Sequence, residues 1–147
     1  MAPLKEVPGM TWYVLQRGPG LTEWHPGFGI LPVTKNLFEE ARFMRALDLV
    51  ISVDTMPAHL AGALGIPVWT LLSADADWRW MEGRVDSPWY PTMCLFRQVQ
   101  QGVWEPVITR VAAALERLST GTNGTDGPHD ISGYPDQHQL SRLKTCF

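Results

Sequence analysis

The chain has 147 residues and a formal net charge of −3, enough for one domain with a buried core. Its acidic balance argues against nucleic acid or an anionic membrane surface as the main partner. No apolar run could span a membrane and no signal peptide is recognisable, so we expect a cytoplasmic protein with no membrane span. Cys94 lies in an apolar segment and Cys146 in a polar one, which predicts no disulfide framework.

The first third of the chain predicts one strand, one long loop and one helix. Trp12–Gln16 reads as a short buried strand, and Arg17–Lys35 is a loop rich in glycine and proline. Asn36, followed three residues later by Glu39, resembles a capping box at the start of a helix. Helical spacing then continues through Leu37, Ala41, Met44 and Leu47.

The central block predicts a strand, a helix and a second strand within 25 residues of sequence. Leu49–Val53 and Val68–Leu72 are apolar on every side, which is typical of parallel strands covered on both faces by helices. Between them, Thr55–Leu64 is a helix of small residues that Gly65 ends.

The last third predicts a long loop, a strand and an amphipathic helix. Ser73–Pro91 is a loop with one helical turn around Trp78–Met81, and Met93–Arg97 is a strand. Val103–Leu118 is a helix that should pack on the sheet through Trp104, Val107, Ile108, Val111 and Leu115. Ser119–Phe147 lacks the apolar residues needed for a core, so we expect a disordered tail that contributes little to folding.

These elements predict an α/β fold over residues 1–118, with a Rossmann-like parallel sheet flanked by helices. Four strands make a small sheet for this architecture. Too few residues precede Trp12 for a full strand–helix unit, so we expect the first such unit to be missing. The sheet edge that this leaves open invites a cover, and the tail is the nearest candidate.

The turn after the second strand is the candidate site. Asp54 and Thr55 follow the strand and precede a helix, and in open α/β sheets ligands bind at the carboxyl ends of the strands. A helix start favours an anion, so the amides of Met56, Ala58 and His59 and the Thr55 hydroxyl predict a diphosphate site. Asp54 and Thr55 could instead serve only as helix caps, and His59 could bond only a neighbouring carbonyl group.

Other patterns exclude or leave open further chemistry. Gly18-Pro19-Gly20 lacks the third glycine of a dinucleotide-binding motif, which disfavours an NAD-dependent oxidoreductase. The histidines show no metal-ligand spacing, so we expect no metal and no cofactor. Trp78 and Trp80 could stack on a base or sugar with Arg79 near phosphates, or could simply pack the loop onto its own domain.

The segments SVDTMPAHLAGALGIPVW, DWRW and SPWYP, read in order, resemble a known family. They are similar to the C-terminal, donor-binding half of GT-B glycosyltransferases related to ADP-heptose:lipopolysaccharide heptosyltransferases. The version fused to tetratricopeptide repeats in bacterial proteins is more similar still. The resemblance runs from about Trp12 to Leu118 and implies that Asp54, Thr55, Met56 and His59 lie at the donor diphosphate. Met56 stands where the family usually has glycine.

The resemblance implies the donor-binding half of a bacterial, metal-independent glycosyltransferase that does not transfer sugar on its own. Its partners would be a nucleotide-diphosphate sugar and an N-terminal acceptor or repeat domain that this sequence lacks, and a homo-oligomer is compatible with it. The alternative is a non-catalytic interaction module that keeps the GT-B half-fold and uses its tryptophan-rich loops to contact a partner domain.

Overall fold

The structure is a computed structural model that describes residues 2–25, 27–120 and 144–146. These residues form four α-helices, two 3-10 segments and five strands. They are α1 (Ala2–Lys5), β1 (Thr11–Tyr13), a 3-10 helix (Gly18–Glu23), α2 (Leu37–Met44), β2 (Leu49–Val53), α3 (Met56–Ala63), β3 (Val68–Leu72), a 3-10 turn (Trp78–Trp80), β4 (Met93–Arg97), α4 (Glu105–Thr120) and β5 (Lys144–Cys146).

The strands form one parallel sheet in the order β1-β5-β2-β3-β4. Val50 of β2 is in register with Val68 of β3, which is in register with Met93 of β4. Helices cover both faces, which confirms the predicted α/β class. A parallel sheet brings the carboxyl ends of its strands to one edge, so the turns after β2 and β3 lie on the same side of the molecule.

Two hydrophobic layers enclose the sheet, because successive strand residues point to opposite faces. In β3, Val68 and Leu72 face the layer built with α2 and α3, whereas Trp69 and Leu71 face the layer built with α1 and α4. The first layer also contains Met44, Ala58, Ala61 and Trp80, and the second contains Leu4, Val107, Val111 and Leu115.

β5 lies inside the sheet, between β1 and β2. Its three residues pair with Thr11–Tyr13 on one side, and Thr145 and Cys146 pair with Leu49 and Val50 on the other. The expectation of a disordered tail from residue 119 therefore does not hold for Lys144–Cys146, nor for Ser119 and Thr120, which end α4. The rest of that expectation, including Phe147, lies outside the described residues.

Strands β2, β3 and β4 have the predicted bounds, but β1 and α4 differ from prediction. β1 ends at Tyr13 rather than Gln16, because the amide of Val14 donates to the carbonyl oxygen of Ile30 at 2.9 Å and so pairs with the following loop. α4 begins at Glu105 rather than Val103. Trp104 precedes the helix with 37% of its surface exposed, so the prediction that it anchors α4 to the sheet is wrong.

The long loop after β1 is tied to α2 by a buried charge. The guanidinium group of Arg17 contacts the carboxylate of Glu40 at 3.0 Å, and Glu40 is buried within α2. The same guanidinium group donates to the hydroxyl of Thr34. This arrangement fixes both ends of the loop against one helix.

Candidate functional site

The turn between β2 and α3 has a different capping pattern from the predicted one. Thr55 is the N-cap residue of α3, but its side chain makes no capping bond. Its hydroxyl lies 3.0 Å from the hydroxyl of Ser52 and 3.3 Å from the carbonyl oxygen of Val53. Neither Asp54 nor Thr55 therefore caps α3 through its side chain, which excludes the simplest structural explanation for these two residues.

Of the backbone amides predicted to bind an anion, one is left without a partner. The amides of Ala58 and His59 both donate to the carbonyl oxygen of Thr55, at 3.0 and 3.5 Å. Pro57 has no amide hydrogen. The amide of Met56 makes no hydrogen bond to another described residue. The donor open to a ligand at this turn is thus the Met56 amide, whereas the Thr55 hydroxyl must give up its bond to Ser52 or Val53 before it can donate to a ligand.

The carboxylate of Asp54 has two partners, one on each oxygen atom. Oδ2 accepts a hydrogen bond from Nε1 of Trp80 at 2.7 Å, and Oδ1 lies 3.3 Å from Nε2 of His59. Trp80 is fully buried, whereas Asp54 and His59 are each about one-third exposed or less. Asp54 therefore joins the loop after β3 to the start of α3.

Both ring nitrogens of His59 have hydrogen-bond partners, and its ring contacts two aromatic rings. Its Nδ1 lies 3.1 Å from the hydroxyl of Tyr90. Its ring stacks on Trp80 with centroids 5.5 Å apart and meets the ring of Tyr90 edge-on at 5.8 Å. If Nε2 carries the proton that Asp54 accepts, Nδ1 accepts the proton of the Tyr90 hydroxyl.

Gly62 makes room for Tyr90 beside α3. A Cβ atom built on Gly62 would lie 2.5 Å from Cγ of the tyrosine ring, far inside van der Waals contact. The ring can therefore rest against the helix only because this residue has no side chain. Sequence reasoning did not include Tyr90 in the site; a glycine inside a helix was a signal of close approach, but it did not name the approaching residue.

The tryptophan-containing loop places its predicted residues in three different environments. Trp80 is buried against His59, Trp78 is 76% exposed, and Arg79 pairs with Asp77 at 2.9 Å. The backbone amide of Arg79, together with its guanidinium charge, lowers the pKa of Asp77 below its ordinary value. Because Arg79 is engaged by its neighbour, the structure does not direct it toward a phosphate.

Within residues 2–25, 27–120 and 144–146, no group of three or more histidine, cysteine, aspartate or glutamate side chains is arranged to hold a metal ion. None of the helices in that part of the chain is both long enough and apolar enough to cross a membrane.

The chain is similar to Protein FlbA of Caulobacter vibrioides, with 35% identity over 125 residues. The match covers 77% of this chain but 20% of FlbA, so the chain spans about a fifth of the length of the curated relative it matches. No protein-family model matches the chain, and no solved structure matches it.

Proposed function

We propose that the turn between β2 and α3 binds the diphosphate of a nucleotide sugar, as the donor-binding half of a metal-independent glycosyltransferase. The observation that carries the proposal is the open start of α3. The Met56 amide has no partner there among the described residues, and Thr55 is exposed and can turn its hydroxyl from Val53 to a ligand, at the carboxyl end of a central parallel strand. Helix starts at this edge favour anions. The resemblance to the donor-binding half of GT-B enzymes supports the same ligand.

His59 has an indirect role in this proposal. Its two nitrogens already have partners in Asp54 and Tyr90, so it cannot donate to a phosphate without breaking one contact. Its contribution is to hold the Tyr90 ring and the carboxylate of Asp54 in place beside the turn. The Met56 amide, at the positive end of α3, would stabilise negative charge on a departing diphosphate without a metal ion.

In our proposal the acceptor site is completed outside this domain, by an N-terminal acceptor or repeat domain that contacts the acceptor and brings the catalytic base. The described residues contribute a donor turn, and its carboxylate and imidazole, Asp54 and His59, are bonded to each other and to Trp80 and Tyr90. We therefore expect residues 1–147 alone to bind a nucleotide diphosphate but not to transfer sugar. Transfer activity by the purified chain would contradict this part of the proposal.

A non-catalytic interaction module is the second candidate. The hydrogen bonds among Asp54, His59, Trp80 and Tyr90 favour it. Both carboxylate oxygens and both imidazole nitrogens of this cluster have partners within the protein. Such a cluster is stable without any ligand, and it could serve only to hold the loop against α3.

Fluorescence titration separates the two candidates, since Trp80 stacks on His59 and reports on the turn. We expect UDP, ADP or GDP to change the emission, and the corresponding nucleosides to have a much smaller effect. If the Thr55 hydroxyl turns from Val53 to a phosphate oxygen, valine removes a donor to a charged group, so Thr55→Val should raise the dissociation constant about tenfold to a hundredfold.

The matched control is Thr109→Val. Thr109 lies on α4, in the opposite layer, and its hydroxyl donates to the carbonyl oxygen of Glu105 at 2.9 Å. This change should leave nucleotide affinity unaltered. No response to any of the three diphosphates, or equal weakening by both variants, would contradict the donor proposal and favour the interaction module.

A further inference from the structure

The loop of residues 75–91 presents two tryptophan rings to solvent beside the proposed donor turn. Trp78 is 76% exposed and Trp89 is 53% exposed. Nε1 of Trp89 donates to the carbonyl oxygen of Arg79 at 2.9 Å. The Trp89 ring therefore lies next to Arg79, the neighbour of Trp78 in sequence. The exposed indole rings of Trp78 and Trp89 therefore both lie close to the backbone of Arg79. Neither ring has a role in the proposed diphosphate site.

Hydrogen bonds tie the loop to β4 at several points along its length. Arg97 of β4 donates to the carbonyl oxygens of both Trp80 and Met81, and the amide of Leu95 donates to the carbonyl oxygen of Val85 at 2.7 Å. Met81 has a φ of +48°, a conformation that a residue with a side chain rarely adopts. Strained residues of this kind recur at ligand clamps, where the surroundings hold them in place.

The charges of the loop disfavour a phosphate-bearing ligand. It contains four acidic side chains, Asp75, Asp77, Glu82 and Asp86, and two basic ones, Arg79 and Arg84, for a net charge of −2. Both arginines are paired, with Asp77 at 2.9 Å and with Asp86 at 2.6 Å.

These ion pairs leave two carboxylates open. The hydrogen bond from Arg84 lowers the pKa of Asp86, and the same bond raises the pKa of Arg84. Asp75 and Glu82 make no hydrogen bond or ion pair with another described residue. The loop thus offers acceptors for hydroxyl groups and no free cation among its own residues for a phosphate.

We propose that loop 75–91 binds the neutral pyranose ring of an acceptor saccharide. The C–H face of such a ring stacks on an indole, and its hydroxyl groups donate to carboxylates. Trp80 joins this surface to the donor turn through Asp54 and His59, which places a bound sugar near the diphosphate. The role as acceptor rests on the proposed function, whereas binding of a neutral sugar does not.

The test follows the indole N–H signals of the seven tryptophans by NMR, with each signal assigned by a tryptophan-to-phenylalanine variant. Methyl β-D-glucopyranoside, methyl α-D-mannopyranoside and N-acetyl-D-glucosamine are titrated in the absence of nucleotide. We expect at least one of them to shift Trp78 and Trp89 and to leave Trp69 and Trp104 in place. Glucose 6-phosphate should bind more weakly than methyl β-D-glucopyranoside.

Variants give the proposal a second readout. Trp78→Ala should raise the dissociation constant of the bound glycoside roughly fivefold or more, and the exposed Trp104→Ala, outside the loop, should not change it. Trp78 is 76% exposed, so its variant should fold normally, and circular dichroism verifies the fold of both variants.

Four outcomes would overturn the proposal. They are no shift of Trp78 or Trp89 with any glycoside, tighter binding of glucose 6-phosphate, a larger shift with uridine or adenosine, and self-association that Trp78→Ala abolishes, which would make the loop a protein interface. UDP, ADP and GDP, titrated separately, test the diphosphate turn through Trp80. Loss of that response alone would contradict the donor function and leave the sugar surface standing.

Discussion

Gly62 determines where Tyr90 lies, and through Tyr90 it positions His59. Replacing Gly62 with alanine would drive a Cβ atom into the tyrosine ring. We expect Gly62→Ala to lower the free energy of unfolding by about 1–3 kcal/mol, the usual cost of overpacking a filled site. Urea denaturation monitored by circular dichroism would measure the change.

The matched background for this test is Tyr90→Ser, in which the ring is gone. There Gly62→Ala should cost much less, because residues that share one contact do not contribute additively. Equal costs in the two backgrounds would show that the helix, and not the tyrosine, demands glycine at this position.

The thiol of Cys94 is largely buried, and its burial makes the stability of the fold depend on pH. Desolvation, aided by the charge of Asp86, raises the pKa of Cys94 from 9.0 to about 11. A raised pKa in the folded state means that the buried thiol stabilises the fold fully below pH 9, and that this contribution is lost as the pH rises from 9 to about 11.

Alkylation of Cys94 by iodoacetamide should follow the same shift, since the thiolate is the reactive form. In the folded protein the rate should stay low at pH 8 and keep rising toward pH 11. In urea it should level off near the ordinary pKa. Peptide mass spectrometry separates Cys94 from Cys146, and identical profiles with and without urea would contradict the predicted shift.

The sequence predicted Asp54 and Thr55 at the end of β2 and His59 in the first turn of α3, because a fully apolar run followed by polar residues marks a strand end. It could not predict the bonds to Trp80 and Tyr90, which lie 26 residues from Asp54 and 31 from His59. These contacts depend on the path of a long loop. Because His59 bonds both Asp54 and Tyr90, we expect His59→Ala to lower the free energy of unfolding.

At the scale of single elements, α2 and α3 differ in how their first turns are held. The side chain of Asn36 accepts from the amide of Glu39 at 3.0 Å, and the carboxylate of Glu39 accepts from the amide of Lys35 at 2.9 Å. This confirms the predicted helix start, although the reciprocal bond reaches the residue before the cap. α3 begins without any side-chain cap.

The difference predicts unequal effects of two equivalent changes. Asn36→Ala should lower the free energy of unfolding by about 1 kcal/mol, through loss of the cap bond. Thr55→Ala, at the same position of α3, should cost less, since its hydroxyl bonds only the preceding strand. Thermal unfolding of both variants gives the comparison, and a larger loss for Thr55→Ala would contradict it.

Element bounds were predictable where local sequence decides them. β2, β3 and β4 are apolar runs with turn residues at both ends, so their limits follow from the sequence. β1 ended early because its continuation pairs with Ile30 in the loop, which no local pattern indicates. The helical spacing correctly predicted that Val107, Val111 and Leu115 face the core. It also included Trp104, but α4 begins at Glu105, one residue later.

For the whole molecule, β5 decides whether β1 belongs to the sheet. β1 and β2 both pair with β5, and no pairing joins them directly within the described strands. Because β5 lies between two other strands, we expect deletion of residues 119–147 to lower the melting temperature clearly.

A point variant tests this without shortening the chain. Proline has no amide hydrogen and is poorly tolerated within a sheet, so Thr145→Pro should cost roughly 1–3 kcal/mol by leaving a strand bond unmade. Thr145→Val, which keeps the amide and suits a strand, is the control. An unchanged melting temperature for Thr145→Pro would place β5 outside the stable sheet.

The position of β5 also determines the order in which the fold can be completed during synthesis. Every other strand leaves the ribosome before Lys144–Cys146, yet two of them need β5 as a neighbour. Until then the facing edges of β1 and β2 carry unpaired backbone groups, which can template pairing with other chains. Contacts between residues so distant in sequence also form slowly. Until β5 has been synthesised, the nascent protein therefore depends on something other than its own sheet, such as a chaperone, for protection from aggregation.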